Sequence, residues 1–257
     1  MFDLSIVIPT CNRSESLASC LVSIRNTTQC QYELIVVDGA STDATASVLQ
    51  RGAETFGNRL SVIREPQREG FVKAANKGFR AARGRYVMWL NDDARPLDHA
   101  LDRAVEQIAF TPRTVGMVAL FHSAHTDRNV AFEAHHLGRD FHLLHVRGTL
   151  YANFGIAART LWERLGYFDE RFFLNGADPD FSLKIWNAGL SVVPAFGALI
   201  DHDEIDDPRR QGDLARADED DAKLFAKWDL PEKKLNGTDF NQTRPCTLRG
   251  LRSARAA

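Results

Sequence analysis

Four short apolar runs, LSIVIP (4–9), ELIVVD (33–38), LSVIRE (60–65) and RYVMWL (85–90), recur through the first 90 residues and constrain the fold more than any other feature. Each has the length and β-branched content of a strand buried on both faces. The stretches between them carry helical spacing. Ser14 is placed to cap a helix in which Leu17, Cys20, Leu21 and Ile24 share one face. Ser41 or Thr42 is placed to cap a second helix beginning at Asp43, whose acid suits the positive end of the helix dipole. Phe71 to Ala82 reads as a third, and Ala75 and Gly78 would let its backbone lie close to a sheet. This alternation predicts an α/β fold with a mainly parallel central sheet, right-handed crossovers and helices on both faces.

After about residue 98 the pattern changes. A helix (98–110) leads to a strand, VGMVALFH (115–122), then to a mixed region of short strands and loops reaching about residue 154. Helices are expected at 158–166 and 179–188, a strand at SVVPAF (191–196) and a final helix near 213–227. Residues 1–97 and 98–229 read as two halves of one domain, with 230–257 as a C-terminal extension. A formal net charge of −2 argues against nucleic-acid binding by bulk electrostatics. No run approaches the roughly 18 apolar residues of a membrane span. Asp3 stands where a secretory signal carries positive charge. Cys11, Cys20, Cys30 and Cys246 fall in no CxxC spacing, so they read as reduced thiols, and a cytoplasmic location is expected.

The polar residues sit at the carboxyl ends of the strands, where ligands of parallel sheets bind. Thr10 and Asn12 follow the first run, Asp38 ends the second, and Asn91, Asp92 and Asp93 end the fourth. A solvated turn needs no more than one Asx residue, and adjacent carboxylates repel. A metal held at the strand end is the sharper reading, and unrelated turns would not put their acids on one edge.

Taken together, SIVIPTCNR, LIVVDGASTD, GFVKAANKGFRAARGRYVMWLNDD, GYFDERFFLNGADPDFSLKIWNAGL and the later His202 resemble the family 2 glycosyltransferases of the GT-A fold, over residues 4 to about 229. That resemblance implies a metal-dependent, inverting transfer of sugar from a nucleoside-diphosphate sugar to a hydroxyl on a glycan, a lipid-linked sugar or a small molecule. Residues 1–97 would form the donor half and 98–229 the acceptor and catalytic half. The divalent ion, Mn²⁺ or Mg²⁺, bridges the phosphates of a departing nucleoside diphosphate and needs only one or two carboxylates from the protein. Asp93 is the implied direct ligand and His202 the second; Asn91 would act through the ribose or a water, with Asp92 in the variable middle position. Pro9, Thr10, Asn12 and Arg13 fall where the nucleotide is received, with Asp38 toward the base and Ser41 close by. Asp38 read alone is also a strand-end turn before Gly39. Lys73 and Asn76 match the segment beneath the donor, although a solvated helix lysine has the same appearance.

The line GADPDFSLK places Asp178 on the general base, with Asp180 downstream in the acceptor region. Asp178–Pro179 is also an N-cap followed by Pro at the first helical position, an environment that lowers a carboxyl pKa. Ala177 departs from the family's usual Glu and Lys184 from a more common Arg, which puts acceptor identity in doubt. Trp186 could stack on an acceptor sugar or belong to the core.

Six of the eight histidines lie between His122 and His145, in the family's variable acceptor region. No cysteine accompanies them, so they read as polar or acceptor-binding residues rather than a zinc site. The tail TRPCTLRGLRSARAA sets Leu248, Leu251 and Ala254 beside Arg249, Arg252 and Arg255, suiting either peripheral contact with an anionic inner membrane face or a disordered basic end. A QxxRW motif is missing, which favours a single transfer over a processive synthase. Two rivals stay in view. A sugar nucleotidyltransferase would open with a Gly-rich loop, and PTCNRSES has no glycine. A non-catalytic nucleotide-sugar-binding module would keep the pocket without turnover.

Overall fold

The computed structural model describes residues 1–123 and 129–230. His125, Cys246 and the basic tail therefore lie outside the described residues. The first part runs β1 (Leu4–Thr10), α1 (Ser14–Thr27), β2 (Tyr32–Asp38), α2 (Thr45–Phe56), β3 (Leu60–Arg64), α3 (Phe71–Ala81) and β4 (Tyr86–Trp89). It continues through β5 (Ala94–Pro96), α4 (Ala100–Phe110), β6 (Val115–His122), β7 (Val130–His136), β8 (Arg139–Val146), β9 (Thr149–Tyr151) and β10 (Gly155–Ala158). The remainder is α5 (Arg159–Leu165), α6 (Ala177–Asn187), β11 (Ser191–His202), α7 (Pro208–Leu214) and α8 (Ala217–Trp228).

The main sheet has the order β3-β2-β1-β4-β10-β6-β11-β5. β1 pairs in parallel with β2 and β4, so Thr10 and Asp38 finish level with each other. β10 enters antiparallel between β4 and β6, which makes the sheet mixed beyond the fourth strand. β11 runs parallel to β6 and carries β5 antiparallel on its far side. β7, β8 and β9 form an antiparallel meander joined to the sheet where His122 faces His142.

Strand periodicity divides the core into two layers. Val7, Ile35, Val87 and Trp89 point to one face, where they meet Val72, Ala75 and Phe79 of α3 together with Trp162, Phe181 and Ile185 of α5 and α6. Ile6, Ile8, Leu34, Val36 and Met88 point to the other, against Leu17 and Leu21 of α1, Val48 of α2 and Leu101 and Ala104 of α4. Helices therefore cover both faces, and each fully buried aliphatic or aromatic side chain contributes about 1.5–3 kcal/mol. α3 lies so close to β1 that a Cβ added at Gly78 would run into Val7 Cγ1.

Several expected boundaries are corrected. Ser14 is the first residue of α1 and not its cap; its N–H donates to Asp43 Oδ2. α2 begins at Thr45, because Asp43 accepts the Thr45 N–H and closes its own turn ahead of the helix. α6 begins at Ala177 after Gly176 in the left-handed region, so Asp178 sits inside the first turn and does not cap it. The Asp-Pro cap occurs instead at Asp207–Pro208, where the Asp207 carboxylate accepts the Arg210 N–H and opens α7. The helix expected near 213–227 is two helices, α7 and α8, and the strand expected at 191–196 continues past a bulge to His202.

Candidate active site

The loops after β1 and β2 are laced together by short polar side chains. Asn12, at φ 53° in the left-handed conformation that Asn tolerates, accepts the Thr42 N–H at 2.7 Å through Oδ1. Its own N–H donates to Ser41 Oγ at 2.9 Å. The buried Asp38 accepts the Ser41 N–H at 3.0 Å. These bonds tie the loops after β1 and β2 together beside a cleft of about 350 Å³ at the carboxyl edge of the sheet, although Asn12, Asp38 and Ser41 do not themselves line it.

Pro9, Thr10, Arg13, Asn91, Asp92 and Asp93 line that cleft from the first 97 residues, and His202 and Asp178 line it from the second part. Thr10 Oγ1 donates to Asp92 Oδ2 at 2.8 Å. The Arg13 guanidinium, only 8% exposed, donates to Asp93 Oδ2 at 2.7 Å, to Asp92 Oδ1 at 3.3 Å and to Asp207 Oδ2 at 2.7 Å. It also donates to the Ile205 carbonyl at 2.9 Å, which draws the segment after β11 onto the acid pair. Arg13 thus answers the question posed by two adjacent carboxylates at the end of a buried strand: their charge is met by a buried cation.

The two oxygens of Asp93 differ. Oδ2 takes Arg13 and the Ile205 N–H, whereas the buried Oδ1 faces His202 Nε2 at 3.3 Å. Burial pulls the Asp93 carboxyl upward, but His202, Arg13 and the Ile205 N–H together hold it well below the usual carboxylate range. Asn91 Nδ2 also approaches His202 Nε2 at 3.3 Å. The His202 N–H donates to Ser123 Oγ at 3.0 Å, and Ser123 Oγ donates in turn to Asp201 Oδ1 at 2.9 Å, which fixes the end of β11.

Across the cleft, Asp178 has a different environment. Its Oδ1 is buried without a hydrogen-bond partner among the described residues, and burial pushes the carboxyl well above the ordinary value. The lowering expected from a helix N-terminus is therefore corrected: desolvation with no cation alongside outweighs the dipole. Asp220 of α8, fully buried, accepts the Phe173 and Leu174 N–H groups at 3.0 and 2.9 Å and so anchors the loop that leads into α6.

Other expected residues lie apart from this cleft. Lys73 is exposed on α3 and does not line it. Asn76 is fully buried; its amide exchanges hydrogen bonds with the Phe168 backbone, donating at 2.9 Å and accepting at 3.0 Å. Asp180, also fully buried, accepts from Trp228 Nε1 at 2.7 Å, and Trp186 Nε1 donates to the Leu150 carbonyl at 2.9 Å. Ala177 is buried, and Lys184 Nζ donates to the Tyr167 carbonyl at 2.7 Å. Tyr151, Asn153, Arg68 and Asp221 line the cleft without having been expected there. Arg68, Tyr151 and Asn153 stand in stretches without periodicity, so no spacing marked them, and Asp221 sits in the acid-rich part of a helix that the spacing did predict.

Carboxylates, an imidazole and Asx-laced loops gathered at the carboxyl ends of parallel strands occupy the edge where open α/β sheets hold ligands. More narrowly, the chain belongs to glycosyl transferase family 2, whose profile matches residues 5–181. It is 38% identical over 89 residues to a PGL/p-HBAD biosynthesis glycosyltransferase of Mycobacterium bovis, covering 35% of this chain and 34% of that protein. It is 29% identical over 110 residues to the glycosyltransferase AglE of Haloferax volcanii, covering 42% of this chain and 36% of that protein. These matches thus span about a third of the curated relatives' length. In structure it is similar to the mannosyltransferase PcManGT of Pyrobaculum calidifontis, solved with GDP-Man and Mn²⁺, at a TM-score of 0.68 and 22% identity over 99% of this chain and 74% of that one. The fold is the GT-A fold. Among the described residues no helix is long and apolar enough to cross a membrane.

Proposed function

We propose that this chain binds a nucleoside-diphosphate sugar with a divalent ion and transfers the sugar once, with inversion, to a hydroxyl of a glycan, lipid-linked sugar or small molecule. The observation that carries this reading is the presence, in one cleft, of the Asp93–His202 corner and of a half-buried, proton-avid carboxylate at Asp178.

The corner fits a hard divalent ion. Asp93 Oδ1 and His202 Nε2, 3.3 Å apart, would hold it, a carboxylate oxygen and an imidazole nitrogen both being suitable donors. Asp93 Oδ1 makes no close hydrogen bond among the described residues and has His202 beside it, so such an ion would be met by both. Among the described residues no group of three or more His, Cys, Asp or Glu forms a metal cage. That suits an ion that takes its other ligands from phosphates and water. Bound there, it would neutralise the charge developing on the departing diphosphate.

The chain's own residues do the rest. Thr10, Arg13 and the loop bonded through Asn12, Asp38 and Ser41 hold the nucleoside end, and Arg13 keeps Asp93 turned so that one oxygen faces His202. Asp178, when ionised, accepts the proton of the attacking hydroxyl; its raised affinity for a proton makes it a stronger base than an exposed carboxylate. One such group suffices for direct displacement, unlike the carboxylate pair of retaining hydrolysis. Incubation with UDP-, GDP- and TDP-sugars, Mn²⁺ and a panel of saccharide acceptors, following release of nucleoside diphosphate, tests this reading. Release by wild type and its loss in Asp178→Asn supports it; release unaffected by that substitution contradicts the role of Asp178.

A further inference from the structure

The histidine-rich segment contributes one residue to the wall of this cleft at second hand. His122 ends β6, is 2% exposed, and places Nε2 3.0 Å from Asn153 Oδ1. A ring N–H belongs on Nε2, because the amide oxygen it faces can only accept. Its other nitrogen, Nδ1, has no partner among the described residues, as suits an unprotonated nitrogen. With its oxygen engaged by His122, Asn153 has its NH₂ left to offer the cleft that it lines, where Tyr151 already hydrogen-bonds it. Phe154 wedges this arrangement against the metal corner, its ring centroid 5.7 Å from His122 and 5.2 Å from His202. Tyr151 lines the same wall; its hydroxyl hydrogen-bonds Asn153, and Asp178 and Asp221 line the cleft with it.

We infer that Asn153, oriented by His122, is a specificity-determining residue that donates its amide N–H to an oxygen of the transferred sugar, and that with Tyr151 it selects neutral glycosyl groups over glycuronosyl groups. This rests on the donor reading of the cleft. The leaving diphosphate belongs at the Asp93–His202 corner and the attacking hydroxyl at Asp178, so the sugar ring spans the gap between them. Asn153 and Tyr151 line the cleft that holds both ends. A neutral hydroxyl or acetamido oxygen can accept from Asn153 there. A uronosyl carboxylate would meet Asp178 and Asp221, and like charges in a partly dry cleft repel.

The experiment is calorimetric titration with Mn²⁺ of two ligand sets: UDP, UDP-glucose and UDP-glucuronic acid, and GDP, GDP-mannose and GDP-mannuronic acid. It is run on wild type, Asn153→Ala and Asn153→Asp, the last of which keeps the oxygen that His122 bonds. Wild type is expected to hold the neutral sugar nucleotide roughly tenfold or more tighter than its uronosyl counterpart. Both variants should weaken the neutral sugar nucleotide by roughly 3- to 10-fold while leaving the bare diphosphate within about twofold, the loss of one hydrogen bond. If the variants weaken diphosphate and sugar nucleotide equally, or change neither, Asn153 does not read the sugar. A wild type that prefers the uronosyl ligand overturns the selectivity. A wild type that binds no diphosphate at all removes the donor reading itself, a result distinct from the other two.

Discussion

The two ends of the cleft hold their carboxylates in opposite ways. At the Asp93 end, Arg13, His202 and a backbone N–H surround a buried acid and depress its affinity for protons. At the Asp178 end, a half-buried acid with its Oδ1 shut off from solvent has no hydrogen-bond partner for that oxygen among the described residues, and desolvation raises its affinity for protons. In the proposed reading the two carboxylates divide the work: the one with depressed proton affinity suits a ligand that stays ionised, and the one with raised affinity suits a group that takes up a proton. Both descend from Asx-rich stretches that look alike in sequence. The difference between them lies in what packs around each, above all in Arg13.

The comparison can be broken most severely at Asp178. Replacing it with Asn should lower transfer by roughly 10²–10⁴-fold while leaving nucleotide affinity unchanged, as measured by single-turnover assays and titration. A next, smaller effect concerns pH. Asp178 must be ionised to act, so activity should fall on acidification with an apparent pKa above the ordinary carboxylate value of about 3.9, and Asp93 should add no limb in that range. A pH–rate profile that is flat down to about pH 4 would place Asp178 with the ordinary carboxylates.

Stability should separate the same two residues by sign. Asp93 has a depressed folded-state pKa, so its contribution is fully present above the unfolded value of about 3.9 and is lost as pH falls below it. Asp178 has a raised pKa, so its ionisation lowers stability as pH climbs from about 3.9 through its folded value. At neutral pH, Asp93→Asn should therefore lower the unfolding midpoint and Asp178→Asn should raise it, both read by thermal denaturation. A control away from the cleft is Gly78→Ala, which forces a methyl into Val7 and should cost about 1–3 kcal/mol in urea unfolding without changing nucleotide affinity.

The first 97 residues were far more legible than the rest of the chain. β1, β2 and β4 are buried on both faces, so their apolar runs are continuous and their ends are marked by Thr10, Asp38 and Asn91. Beyond β4 the sheet turns antiparallel and its strands are placed by long-range pairing. β10 is four residues long and sits between strands distant in sequence, which no local pattern encodes. The same contrast holds within the site. Thr10, Arg13, Asp93 and His202 stand at strand ends or in the loops after them and were expected there. Asn153 and Tyr151 reach the cleft only because β9 and β10 flank it. Asn76 and Asp180 carried the right residue type in the right stretch, but the structure occupies them with Phe168 and Trp228. The Asp178 pKa went the other way from expectation because burial, a three-dimensional property, outweighed the helix end visible in sequence.

A metal-assisted donor site at the end of β4 is best tried by thermal unfolding with UDP, TDP and GDP, each in Mn²⁺ and then in EDTA, on wild type and Asp93→Ala. Ligand at about 100 times its dissociation constant adds roughly 2.7 kcal/mol, which should raise the midpoint by about 5–10 °C for a chain of this size. One diphosphate should stabilise wild type only with metal, and Asp93→Ala should abolish the shift. A midpoint that no diphosphate moves, or a shift that survives both EDTA and Asp93→Ala, would contradict such a site.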